Sequence, residues 1–138
     1  MSMRQEDKEL LLKDLCARLP YGVKAKYYGS AEECECCDTI EGIYPMDDEI
    51  VIGQYGLSVD MIKPYLFPLS SMTEEQKKEY YRWKHEVPVC HYEYGDVVEE
   101  VELFDSPESF EYLIENHFDY RGLIPKGLAN DATGLNIY

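Results

Sequence analysis

Leucines and charges alternate at helical spacing near the start of the chain. Over 5–19, QEDKELLLKDLCARL, the positions Leu11, Leu12, Leu15, Cys16 and Leu19 recur on one side, and Lys8, Lys13, Asp14 and Arg18 fall mostly on the other. The pattern predicts an amphipathic helix ended by Pro20 and Gly22. The period then drops to two. In 23–28, VKAKYY, the residues Val23, Ala25 and Tyr27 alternate with Lys24, Lys26 and Tyr28, as in a strand with one wet face. Gly29-Ser30 turns the chain. A second strand runs through AEECECCDTI to Tyr44, with Cys34, Cys36 and Ile40 pointing one way and Glu33, Glu35, Thr39 and Glu41 the other. Asp38 interrupts the inward row and marks an expected bulge. Pro45-Met46-Asp47-Asp48 is a turn, and EIVIG, 49–53, is a short apolar strand able to pair back as a hairpin. The apolar stretch 59–69 carries Pro64 and Pro68, which predict no more than a few residues of strand there.

Helical signals return at Thr73. Thr73-x-x-Gln76 is a capping box, with Glu74 and Glu75 in the first turn, and a helix is expected to about His85, ended by Val87-Pro88. Tyr80 and Trp83 share a face of it, a spacing read first as core. Residues 89–104 read equally as two short strands around Gly95-Asp96 or as an acidic loop. Ser106 caps a third helix with Pro107 in its first turn and a buried stripe at Phe110, Leu113, Ile114 and His117 or Phe118. The tail holds three glycines yet is rich in Leu, Ile and Tyr, so an ordered, docked coil is expected. The order of elements is one helix, at least three closely spaced strands, then two helices. The expected class is α+β: a small curled or barrel-like antiparallel sheet with helices packed on it, in one domain over 1–138 with an acidic insert at 87–105.

Charge narrows the function classes. The 138 residues include 28 acidic and 13 basic side chains, a formal charge of -15. Such a field repels nucleic acid and anionic membranes, whose binding requires Lys and Arg to displace counterions. No direct nucleic-acid or membrane partner is expected. A basic protein partner, or imitation of a nucleic acid, is compatible with the charge, although its plainest role is to keep the chain soluble. The first residues, MSMRQEDKELLLKDLC, lack a signal-peptide pattern, and no apolar run approaches the ~20 residues that span a bilayer. The expected compartment is the cytoplasm, where the five cysteines stay reduced. Thirteen Tyr against four Phe and one Trp suits half-buried rings with wet hydroxyls.

Chemistry-bearing residues are present without a motif that assigns a reaction. Cys34-Glu35-Cys36-Cys37 does not match the spacing of structural zinc pairs, which leave two to four residues between ligands, and reads first as small apolar thiols on a strand. A metal set of Cys34, Cys36, Cys90 and His91 is the alternative. The surrounding acids oppose a thiolate at Cys34, Cys36 or Cys37. Cys90-His91 is the remaining thiol-and-base pair for an enzyme reading, weakened because strand neighbours face opposite ways. No glycine-rich phosphate loop and no His-Glu-x-x-His occurs, and no cofactor is implied.

Three segments, LLLKDLCARLPYGV (10–23), DMIKPYLFPLSSMTEEQKKEYY (60–81) and NHFDYRGLIPKGLANDATGLNIY (116–138), resemble a family of small proteins from gut Bacteroides genomes and their phages and mobile elements. The resemblance covers a little under half the chain, and KPYLFPLSSMTEEQK and HFDYRGLI are its most specific phrases. It implies an accessory protein of a phage or mobile element acting in the bacterial cytoplasm, and no catalytic residues; residues 87–105 are longer and more acidic than the resemblance leads one to expect. The expected function is therefore non-enzymatic binding of a protein partner through large amphipathic residues near loops: Tyr55, Tyr65, Phe67, Tyr92, Tyr94, Tyr120 and Arg121. The alternatives are an acidic decoy that blocks a DNA-acting enzyme, which requires a continuous acidic stripe, and a thiol enzyme using Cys90 and His91, which requires both side chains in one pocket.

Overall fold

The computed structural model describes residues 3–28 and 35–138. Its elements make an α+β protein. In chain order they are α1 (Gln5–Arg18), β1 (Lys24–Tyr28), β2 (Glu35–Tyr44), β3 (Glu49–Ile52), β4 (Tyr55–Ser58), β5 (Ile62–Pro68), α2 (Glu74–Trp83), β6 (His85–Glu93), β7 (Asp96–Phe104), α3 (Pro107–Glu115), β8 (Phe118–Asp119) and β9 (Asn130–Asp131). The chain divides into two compact units, one of residues 1–71 and 114–138 and one of residues 72–113.

The larger unit holds a mixed sheet in the order β4-β3-β2-β1-β5-β8, with β9 also on β5. The expected antiparallel hairpins of β1 with β2 and of β2 with β3 form, and β3 also pairs with β4, a strand that the sequence did not predict. The last is closed by Gly53 and Gln54, both at positive φ, as a two-residue turn matched to strand twist requires. Gly53 is further restricted by Tyr27, whose hydroxyl would lie 2.1 Å from an added Cβ. The bulge in β2 falls between Ile40 and Gly42, not at Asp38. Pro64 and Pro68 do not shorten β5, which runs seven residues. Pro64 pairs with Ala25 of β1, while pairing with β9 starts only at Tyr65.

One apolar core joins α1, the sheet and the tail: Leu11, Leu15, Val23, Ala25, Ile50, Ile52, Val59, Leu66 and Leu123 are completely buried in it. The tail is docked as its composition predicts. Leu128 and Ala129 join the same cluster, and β8 and β9 pair with β5 in parallel, which makes the sheet mixed instead of wholly antiparallel. The Tyr138 hydroxyl donates to the carbonyl of Tyr65 at 2.6 Å and accepts from the amide of Lys24 at 2.9 Å. Burial in this position pushes that hydroxyl up to about 12.

The helix of residues 5–18 departs from its expected faces. Leu11, Asp14, Leu15 and Arg18 are spaced i, i+3, i+4 and i+7, so they form one stripe, and all four are fully buried. Cys16 falls off that stripe and is exposed. Asp14 and Arg18 were expected outside because they are charged; angular spacing, not residue type, decides the face. The expected turn at Gly29-Ser30, together with Glu33 and Cys34, lies outside the described residues, as do the side chains of Tyr28, Glu35 and Cys36.

In the smaller unit, α2 begins at the expected capping box. The amide of Gln76 donates to the Thr73 hydroxyl at 3.1 Å, and the amide of Thr73 donates to the Gln76 side chain at 2.9 Å. The helix ends at Trp83, short of the expected His85, and Trp83 is exposed. Residues 85–104 resolve the open reading in favour of strands, longer than expected on the N-terminal side and running through Pro88. At α3 the Ser106 hydroxyl accepts from the amide of Ser109, as a cap should. Leu113 is buried, but Phe110 is exposed and the fully buried Ser109 takes the inward position beside it.

Candidate functional site

The β6–β7 hairpin is built by the turn Tyr94-Gly95, whose residues have φ of 51° and 87°. Positive φ at both central residues is the requirement of the primed turn that matches strand twist. Its base is tied to the helices of its own unit. The Tyr80 hydroxyl donates to Asp105, and Ser106 donates to the carbonyl of Trp83 at the end of α2. Burial and the Asp105 carboxylate together hold the Tyr80 hydroxyl well above its ordinary pKa. Tyr80 also stacks on Tyr81 and Tyr112, and the Lys84 ammonium lies 4.7 Å from the Tyr80 ring centre. These contacts fix the two strand ends that enter and leave the ribbon.

Register decides what each face carries, because paired residues of an antiparallel ladder point the same way. Pro88 faces Val101, Tyr92 faces Val97, Glu86 faces Leu103 and Cys90 faces Glu99. All eight are exposed. Tyr92 is 81% exposed, Val101 63% and Val97 59%, so Pro88, Tyr92, Val97, Val101 and Leu103 make an apolar face left open to solvent. The opposite face carries His85, Val87, Val89 and His91 on β6 against Phe104, Glu102, Glu100 and Val98 on β7, and its Val87, Val89 and Val98 are half-buried. Residues 85–104 hold six acids (Glu86, Glu93, Asp96, Glu99, Glu100 and Glu102) and neither Lys nor Arg. Glu86 and Glu99 stand on the open face itself, and the other four carboxylates are on the opposite face of the same ribbon.

The residues proposed from sequence as protein contacts are distributed over both units. Tyr92 and Tyr94 are on the hairpin, with Tyr94 at its tip and 98% exposed. Tyr55 is exposed at the start of β4 and its ring packs 6.3 Å from that of Tyr27. Tyr65 is half-buried in β5, where its carbonyl accepts from Tyr138. Phe67 packs against Phe118 and Tyr138, with ring centres 6.1 and 5.9 Å away. Tyr120 lies under the guanidinium groups of Arg18 and Arg121, and Arg121 pairs with Asp14 at 3.2 Å. Phe67, Tyr120 and Arg121 thus hold the larger unit together. Pro88, Val97, Val101 and Leu103 are members of the open face that sequence reading missed. The alternation Glu86, Pro88, Cys90, Tyr92 was visible, but the partner residues on β7 depend on register.

Cys90 and His91 occupy successive positions on β6 and so face opposite ways, with His91 3.7 Å from Glu93 and Cys90 exposed. That placement brings no imidazole to the thiol. For the metal alternative, Cys34 and the side chain of Cys36 lie outside the described residues, and among the described residues no three His, Cys, Asp or Glu side chains cluster to hold an ion. Cys37 is an exposed free thiol whose pKa is raised, chiefly by desolvation. Among the described residues no helix is long and apolar enough to cross a membrane. In comparisons with known proteins, no family model, no curated protein and no solved structure matches the chain.

Proposed function

We propose that the protein acts by binding another protein, that the β6–β7 hairpin is the contact, and that the partner presents a basic surface. The observation that carries this reading is the open apolar face of Pro88, Tyr92, Val97, Val101 and Leu103. Isolated two-stranded ribbons are marginal in water, and a contiguous apolar face on one is costly unless something covers it. Glu86 and Glu99 on that face select the occupant: a cationic group on the partner gains from them, whereas a second copy would set like charges against like, on a ribbon with six acids and neither Lys nor Arg. Pro88, which lacks an N–H, also makes the ribbon a poor template for its own pairing. The resemblance to proteins of Bacteroides phages and mobile elements would make this binder an accessory protein working in the bacterial cytoplasm.

The test is affinity capture with the native protein and with Y92S/V101S, followed by measurement of Kd for the captured partner. Hot-spot side chains contribute about 2 kcal/mol or more, so the double variant should weaken binding by at least about 100-fold. Partner binding unchanged by Y92S/V101S, or a captured partner with an acidic contact surface, would overturn the reading. Loss of binding in E99Q/E100Q/E102Q with Y92S/V101S unaffected would favour the acidic decoy instead. The register speaks against it, since Val98 interrupts the row of Asp96, Glu100 and Glu102 on one face.

A further inference from the structure

Among the described residues β7 pairs with β6 alone, in a two-stranded sheet, so each strand has a second edge that no strand occupies. The turn fixes which backbone groups reach those edges. Tyr94-Gly95 is closed by the pair Glu93 and Asp96. A two-residue turn of the primed type makes its closing pair a hydrogen-bonded one, and bonded and non-bonded pairs then alternate along an antiparallel ladder. Asp96, Val98, Glu100, Glu102 and Phe104 therefore direct their N–H and C=O groups at β6, and Val97, Glu99, Val101 and Leu103 turn theirs outward. On β6 the outward row is Glu86, Pro88, Cys90 and Tyr92, and Pro88 has no N–H to offer. The two edges are thus unequal. The β6 edge is a broken template, whereas β7 carries an unbroken row of outward donors and acceptors in exposed residues. Edges of this kind are commonly guarded by Pro or Lys, and β7 has neither. Its guards are Glu99, Glu100 and Glu102, which repel an acidic strand and admit a basic one.

We propose that the partner binds by adding an extended basic segment to the free edge of β7, as a third strand of the ribbon. Strand addition rests on the hairpin being the contact, and it specifies the conformation and chemistry of the partner's side. Across the new ladder the segment sets apolar residues against Val97, Val101 and Leu103, and Lys or Arg against Glu99, Glu100 and Glu102. The same carboxylates exclude a second copy, since β7 on β7 would crowd the glutamates of one chain against those of the other. The test is titration of the full chain with the capped peptide Val-Lys-Val-Lys-Lys-Val-Val, whose order matches β7 read antiparallel from Leu103 to Val97, together with amide hydrogen exchange. Saturable binding with a Kd of about 1 mM or below is expected. The amides of Val97, Glu99, Val101 and Leu103 should slow in exchange by about tenfold or more, with those of Glu86, Cys90 and Tyr92 unchanged. Methylating the peptide's third and fifth backbone nitrogens, which face β7 opposite Val101 and Glu99, should weaken binding by about tenfold or more. Methylating the second and fourth, which face away, should leave it nearly unchanged. Equal losses from the two methylation patterns, with the Tyr92 and Val101 side chains still shifted by the peptide, would overturn strand addition and leave the face contact standing. The face contact itself falls only if Y92S/V101S leaves the captured partner's binding intact. No saturable binding, equally tight binding of Val-Glu-Val-Glu-Glu-Val-Val, or edge protection that grows with protein concentration in the absence of peptide would each overturn the proposal.

Discussion

Asp14 carries the electrostatics of the larger unit's interior. Its two oxygens accept from Arg18 Nε at 2.7 Å and Arg121 Nε at 3.2 Å, and Arg18 Nη2 donates to the carbonyl of Phe118 at 2.6 Å. Arg18 is fully buried, so its charge depends on that carboxylate and on the Tyr120 ring above it. Asp14→Ala should cost about 3–5 kcal/mol in urea unfolding, because it leaves two arginines without their counterion. D14L/R18M should recover much of that loss; a single variant within 1 kcal/mol of the parent would show that the pair is dispensable. His117 gives a pH signature. It sits at φ 64°, packs on Tyr138 with ring centres 3.6 Å apart, and has its pKa lowered to about 4, first by burial and then by Arg18 and Lys24. The folded state thus binds fewer protons than the unfolded one between pH 6.5 and 4. Stability from this group is complete above about 6.5 and is lost as pH falls toward 4, by roughly 2–3 kcal/mol. His117→Asn tolerates the left-handed backbone and cannot titrate, so its stability should vary less with pH across that window. Equal pH slopes for the two proteins would show that His117 is not the group responsible.

At the scale of elements, the turn after α3 and the tail act as structural parts of the larger unit. The phrase HFDYRGLI is accounted for residue by residue. His117 stacks on Tyr138, Phe118 is buried, and Asp119 accepts from the amides of Leu123 and Ile124 at 2.9 Å each. Arg121 reaches Asp14, and Leu123 enters the core. The other specific phrase, KPYLFPLSSMTEEQK, supplies β5 and the capping box of α2. Deleting 122–138 removes Leu123 and Leu128 from the core, at about 1.5–3 kcal/mol for each large apolar side chain. A loss of several kcal/mol is expected, read as a lower urea midpoint; an unchanged midpoint would rule out docking as a source of stability. Local signals made α2, α3 and the strands β1 to β3 legible, because caps, alternation and turn residues depend on neighbours in sequence, whereas β4 fell where glycines read as breaks. The short parallel strands β8 and β9 carried no such signal, since their partner β5 lies more than fifty residues away along the chain.

At the scale of the whole molecule the charge of -15 dominates. Self-repulsion should make the protein more stable as salt rises, since the screening length falls to about 10 Å at 0.1 M. Thermal unfolding in low and in 0.1 M salt reads this directly, and a midpoint that drops on adding salt would mean that attractive pairs outweigh repulsion. E99Q/E100Q/E102Q should raise the stability of the free protein by up to about 1 kcal/mol, by relieving like-charge repulsion, while weakening a basic partner's binding. The sequence by itself determined the α+β class, the capped starts of α2 and α3, the acidic surface and the docking of an apolar tail, because periodicity, caps and composition are local or additive properties. Only the tertiary structure decided which side chains each face presents. Asp14 and Arg18 turned inward because the stripe of α1 is set by angle. Val97, Val101 and Leu103 came to share a face with Pro88 and Tyr92 because ladder register aligns residues from two strands. Lys26 met Lys63 because β1 and β5, separated by three other strands in the chain, are neighbours in the sheet.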